Sequence, residues 1–149
     1  LCFYPAAHMR TEIQNWSESP ILVLHGSADD WVPLKLLEGL VEDITPHGAN
    51  IRVHVYDGAP HSFDSIEPLD FEPKAIRLDD HRTVTIGSDG NMWGEIEPGV
   101  EMPLNEPEDR LAAFQAIGNL GVHKGVDWVA RKHSLEFARE FLEESLLGG

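Results

Sequence analysis

The amino-acid order predicts an α/β fold organised on parallel strands, and three consecutive segments carry the prediction. Ile21-Leu22-Val23-Leu24 is an unbroken apolar run closed by His25-Gly26, the pattern of a strand covered on both faces. Leu36, Leu37, Leu40, Val41 and Ile44 recur at helical spacing after Pro33, a residue tolerated in a helix's first turn, and the segment ends near Gly48. Ile51-Arg52-Val53-His54-Val55-Tyr56 alternates with period two, so one of its faces is more polar than a central strand allows and it belongs near the sheet edge. Strand, helix and strand over 21–56 make a βαβ unit. Its crossover sets the two strands parallel, with their C-terminal ends on one rim, where open α/β sheets bind ligands.

The remaining elements follow in order. Leu1-Cys2-Phe3-Tyr4 before Pro5 is a short apolar strand with no lead-in, as at the start of a fragment. Arg10 to Ser19 is polar and suits a connecting loop or short helix. Residues 65–130 are less regular. Within them Thr83-Val84-Thr85-Ile86 and Asn91-Met92-Trp93 flank Gly87-Ser88-Asp89-Gly90 as a hairpin would. A helix is expected from Pro107, with Leu111, Phe114 and Ile117 on one face and Gly118 or Gly121 as the stop. From about Asp127 to Leu147 a closing helix carries Leu135, Ala138, Leu142 and Leu146 on one face, widened by Phe141, with Gly148 as the stop.

Composition narrows the function classes. The chain has 149 residues, about one domain's worth, and 42% are apolar, enough for a sizeable core. Its formal charge is −15, and full protonation of its 8 histidines would still leave it negative. Nucleic acid and anionic membrane surfaces are thereby excluded as partners. No apolar run approaches the roughly 18 residues of a membrane helix, and no signal peptide is visible. The chain reads as soluble. Cys2 is the only cysteine, which rules out an internal disulfide or a multi-cysteine zinc site and leaves the compartment open, with the cytoplasm as the default.

Two loops carry the chemistry. His25-Gly26-Ser27-Ala28-Asp29-Asp30-Trp31-Val32-Pro33 follows the buried strand, and Asp57-Gly58-Ala59-Pro60-His61-Ser62-Phe63-Asp64 follows the edge strand. An acid on one parallel strand's exit and a histidine on the next is the arrangement in which a carboxylate fixes an imidazole's tautomer and stabilises its protonated form. The order acid then histidine is also the second half of the nucleophile, acid, histidine order of α/β-hydrolases. Asp30 competes with Asp29 for the acid role. Each of these residues has a plainer reading as well: Asp29 or Asp30 as a turn former or helix cap, His61 as a hydrogen-bonded loop histidine, Asp64 as structural and Trp31 and Trp93 as packing.

Phe3-Tyr4-Pro5 closing a strand, Leu24-His25-Gly26-Ser27-Ala28-Asp29 with Pro33 following, and Tyr56-Asp57-Gly58-Ala59-Pro60-His61-Ser62-Phe63-Asp64 together resemble the dienelactone hydrolases of the α/β-hydrolase superfamily. The resemblance covers roughly residues 1–64 and the closing helix. It implies the C-terminal portion of an α/β-hydrolase fold, parallel strands with covering helices, interrupted by an inserted segment at about 65–130. It assigns Asp29 as the triad acid and His61 as the general base of an enzyme that hydrolyses carboxylic esters or lactones without cofactor or metal.

The family's nucleophile, a Cys or Ser within Gly-x-Cys/Ser-x-Gly, has no counterpart here. Ser27, Ser62 and Cys2 lack that context. The expectation is therefore a partial domain whose nucleophile-bearing half is absent, inactive alone, and prone to pair with that half or with another copy through an open sheet edge. Two other readings stand beside it. One is a non-catalytic hydrolase-like interaction or ligand-binding module. The other is a metal-dependent hydrolase using Asp79, Asp80 and His81, although the spacing of the other histidines suggests no ligand set. The segment 65–130 leaves from the His61 loop and is expected to pack over the strand-exit rim as a lid.

Overall fold

The computed structural model describes residues 1–78 and 84–147. The trio Asp79, Asp80 and His81 lies outside the described residues. The elements run β1 (Cys2–Phe3), β2 (Met9–Thr11), β3 (Ile21–Gly26), α1 (Leu34–Ile44), β4 (Ile51–Tyr56), β5 (Asp70–Arg77), β6 (Val84–Ile86), β7 (Met92–Glu97), β8 (Val100–Pro103), α2 (Pro107–Ile117), β9 (Asn119–Lys124) and α3 (Trp128–Leu147).

The βαβ unit forms as its sequence requires. Strands β1, β3 and β4 make one parallel sheet in that order, with Val23 beside Cys2 and Val53. Central β3 is buried almost throughout, because a layer covers each of its faces. On one side α1 brings Leu36 and Leu37 against Val23 and Val32. On the other, α3 brings Ala130, Ala138 and Phe141 against Leu22, Leu24, Tyr56 and Phe63. Edge strand β4 leaves Arg52, Val53 and Val55 exposed and buries Tyr56, so its valine face turns outward and not the polar face that its alternation suggests. Helix α1 runs into a 3-10 turn at Thr45–His47 and stops at Gly48, whose φ of 92° is left-handed and open to glycine at little cost.

The closing helix turns a different face to the sheet from the one its leucines suggest. Its buried residues are Ala130, Ser134, Ala138 and Phe141, while Leu135, Leu142 and Leu146 are exposed, Leu146 at 75%. Small side chains let a helix axis approach a sheet closely, and Phe141 fills the wider end; the leucines are too bulky for that seam. Asp127 starts the helix, its Oδ1 accepting the Val129 and Ala130 amides. Helix α2 shows a similar correction. Ala113 is its buried residue and Leu111 is 55% exposed, with Arg110, Ala113, Phe114 and Ile117 facing the neighbouring strands.

Segment 65–126 contains more strand than its sequence suggests. The expected hairpin is present as β6 paired antiparallel with β7, and β8 extends it. The stretch read as connector at Arg10 contains β2, which pairs in parallel with β6. A separate ribbon joins β5 antiparallel to β9. This ribbon is fastened to the strand-exit rim: Lys124 bridges His61, the Gly125 amide donates to the His61 carbonyl at 2.8 Å, and the Asp127 amide donates to the Phe63 carbonyl at 3.1 Å.

Candidate active site

The site begins with the end of β3. A Cβ on Gly26 would stand 2.1 Å from the Ala59 carbonyl oxygen, so only glycine lets the loop after β4 approach this closely. The closeness is used at once, since the Ser27 amide donates to Tyr56 and the Ala28 amide to Ala59. The two loops are thus held side by side by backbone bonds before any catalytic side chain is considered.

Asp29 and His61 are brought together on this frame. His61 Nδ1 lies 2.8 Å from Asp29 Oδ2. Asp29 is 4% exposed, and its other oxygen accepts the Trp31 and Val32 amides at 2.9 and 2.8 Å. One carboxylate therefore serves as turn former and as imidazole partner. It caps that turn and not the helix, because α1 starts after Pro33 with no side-chain cap. Asp30 points elsewhere: its Oδ2 sits 2.7 Å from His123 Nδ1 and its Oδ1 accepts the His123 amide, tying β9 to the acid loop.

Two aromatic rings flank His61. Tyr4 lies with its ring centroid 4.3 Å away, and Trp31 at 4.8 Å, its indole N–H donating to the Ile76 carbonyl. Tyr4 follows β1, so a third strand exit contributes to the rim. Its phenol donates to Asp64 Oδ1 at 2.7 Å. Burial first, then the Asp64 carboxylate, pushes the phenol up to about 12, so it stays protonated at neutral pH. Sequence reasoning reads Asp64 as structural and does not single out Tyr4, for which the strand-closing Tyr4-Pro5 was the available signal. Tyr4 and Ser62 also have left-handed φ values, 33° and 60°, so backbone strain is concentrated around His61.

Two of the groups considered as nucleophiles, Ser27 and Cys2, have other roles. Ser27 donates to Asp57 and accepts the Gly58 amide, while Cys2 packs with the core beneath α1. With Nδ1 held by Asp29, Nε2 is the ring nitrogen of His61 turned away from the carboxylate. Among the described residues no group of three or more His, Cys, Asp or Glu is placed to hold a metal ion. No helix among them is long and apolar enough to cross a membrane.

A family model described as the dienelactone hydrolase family matches residues 1–85. The chain belongs to that family. The matched span takes in β1, the βαβ unit and both rim loops and ends within β6, leaving the hairpin's second half and α3 outside it. Searches of curated proteins and of solved structures returned no match. Membership makes this a hydrolase at the level of the family, and the mixed α/β architecture with parallel strands agrees with a partial α/β-hydrolase fold.

Proposed function

We propose that the protein hydrolyses a carboxylic ester or lactone through a nucleophile–His–Asp triad in which His61 is the general base and Asp29 its orienting acid. The 2.8 Å contact between Asp29 Oδ2 and His61 Nδ1, on loops leaving adjacent parallel strands, is the observation that carries this reading. His61 Nε2 takes the proton of the attacking hydroxyl or thiol, and the carbonyl carbon gains the new bond as its oxygen becomes an oxyanion. The tetrahedral species collapses with expulsion of the alkoxide, which takes the proton back from His61. Water, deprotonated in turn by His61, releases the acid and restores the nucleophile.

The attacking group belongs to a segment not among these 149 residues, which contain no Gly-x-Ser/Cys-x-Gly. Segment 65–126, fastened beside His61, limits access to the rim. The test is hydrolysis of p-nitrophenyl acetate and a simple lactone by the protein from its native source and by its His61→Ala and Asp29→Asn variants. Loss of turnover in both, with folding intact, supports the pair; undiminished turnover in His61→Ala removes it. The 149-residue chain alone is expected to turn over neither substrate.

A further inference from the structure

Trp31 does more than flank His61. It also walls a cavity of about 280 Å³ formed with Ala6, Val32 and Ile76. Deeper in the molecule, between β7 and α2, lies a second cavity of about 140 Å³ bounded by Met92, Leu104 and Ile117. Leu78, Val84 and Phe114 line both. The outer cavity thus joins the family-matched rim to Phe114, which lies beyond the match.

The walls select by polarity. Arg110 reaches the inner cavity, but its guanidinium is spent on the Leu104 and Asn105 carbonyls. His8 stands on the outer wall with its ring bonded to the Leu78 carbonyl, and burial holds its imidazole below the usual value, so it is neutral at pH 7. The chain's charge of −15 disfavours an anionic guest. At about 280 Å³ the outer cavity falls just below the usual range for ligand pockets, enough for a short aliphatic chain.

We propose that this pair of cavities receives the apolar aliphatic part of a neutral ester whose carbonyl lies at His61. Segment 65–126 then sets the chain-length preference of the enzyme. The inference rests on the reading of Asp29 and His61 as the catalytic pair, and it names the substrate class of that site.

Neutral 2-alkanones present a carbonyl and an aliphatic chain without being hydrolysed, so they report binding independently of turnover. Titrating the chain with 2-pentanone, 2-heptanone and 2-nonanone by NMR should show affinity rising up to about fourfold per added methylene, with Trp31 and Phe114 resonances moving. Ala6 is exposed at the outer cavity, so Ala6→Trp should fold normally and weaken 2-nonanone at least tenfold. Ile117→Trp, which fills the inner cavity, should bring 2-nonanone down toward 2-pentanone while leaving 2-pentanone unchanged. Equal affinity across the series, or full 2-nonanone affinity in Ala6→Trp, overturns the proposal. Failure of Asp29 and His61 as a catalytic pair would show as undiminished hydrolysis in His61→Ala and would leave these affinities untouched, so the two failures are distinguishable.

Discussion

The βαβ unit and the segment that follows it hold their shapes by different means. In 21–64 the chain is secured by burial: β3 is covered on both faces, and Phe63, within the His61 loop, is fully buried. Among the described residues of 65–126, β5 and β8 are mostly exposed, α2 buries only Ala113 among its residues, and polar contacts do the fastening: Asp30 to His123, Trp31 to Ile76, Gly125 to His61. The difference teaches where precision resides. Close packing leaves few alternative geometries for Asp29 and His61, whereas a segment held by a handful of hydrogen bonds tolerates displacement.

The largest test of this contrast is catalytic. In the native protein His61→Ala should lower kcat at least 10³-fold, whereas Asp30→Asn, which loosens the ribbon without touching the catalytic pair, should cost about tenfold or less; steady-state kinetics on one ester decides it. Comparable losses would place the ribbon's tether within the catalytic machinery. The next test is thermodynamic. Phe63→Ala should destabilise the chain by about 3–5 kcal/mol through loss of buried surface and a residual cavity, against about 1 kcal/mol or less for Phe71→Ala on half-exposed β5. Urea denaturation measures both.

A third expectation concerns pH. Burial holds His8 below its ordinary value; at His54 burial does the same, aided by the neighbouring His133. A histidine whose folded-state value lies below its unfolded one, near 6.5, binds fewer protons folded than unfolded. Its contribution is therefore complete above about pH 6.5 and is lost as pH falls through the depressed folded value. The urea midpoint should fall between pH 7 and 5, and His8→Leu should flatten that slope. An unchanged slope in the variant would show that His8 does not titrate across the transition. The smallest effect belongs to the outer face of α3: Leu146→Gln should change stability by no more than about 0.5 kcal/mol, because Leu146 lies on the solvent side. A larger loss would mean that this face is covered in solution.

These tests also mark what was legible in the sequence. The βαβ unit was, because a continuous apolar run, a helical spacing and an alternation are local signals that burial then reinforces. The meeting of Asp29 and His61 followed from it, since adjacent parallel strands deliver their exit loops to one place. What escaped was non-local. Nothing in Met9-Arg10-Thr11 announces that it pairs with Val84-Thr85-Ile86, and β5 and β9 find each other across the hairpin and α2. The face of α3 was misread because spacing locates a stripe of leucines, while the sheet selected the stripe of small residues that allows close approach. Tyr4 joined the site through its partner Asp64, a pairing that only the fold supplies.

The two amides on Asp29 Oδ1 have a kinetic consequence. They are donated by the backbone of Trp31 and Val32 and leave the carboxylate no rotation to perform. A proton arriving on His61 creates positive charge within 2.8 Å of an oxygen that is already aimed at it. The carboxylate need not turn at that moment, so the reorganisation energy of the step is small. The folding of one turn thereby fixes in advance the dipoles that meet a charge on His61 in the proposed reaction.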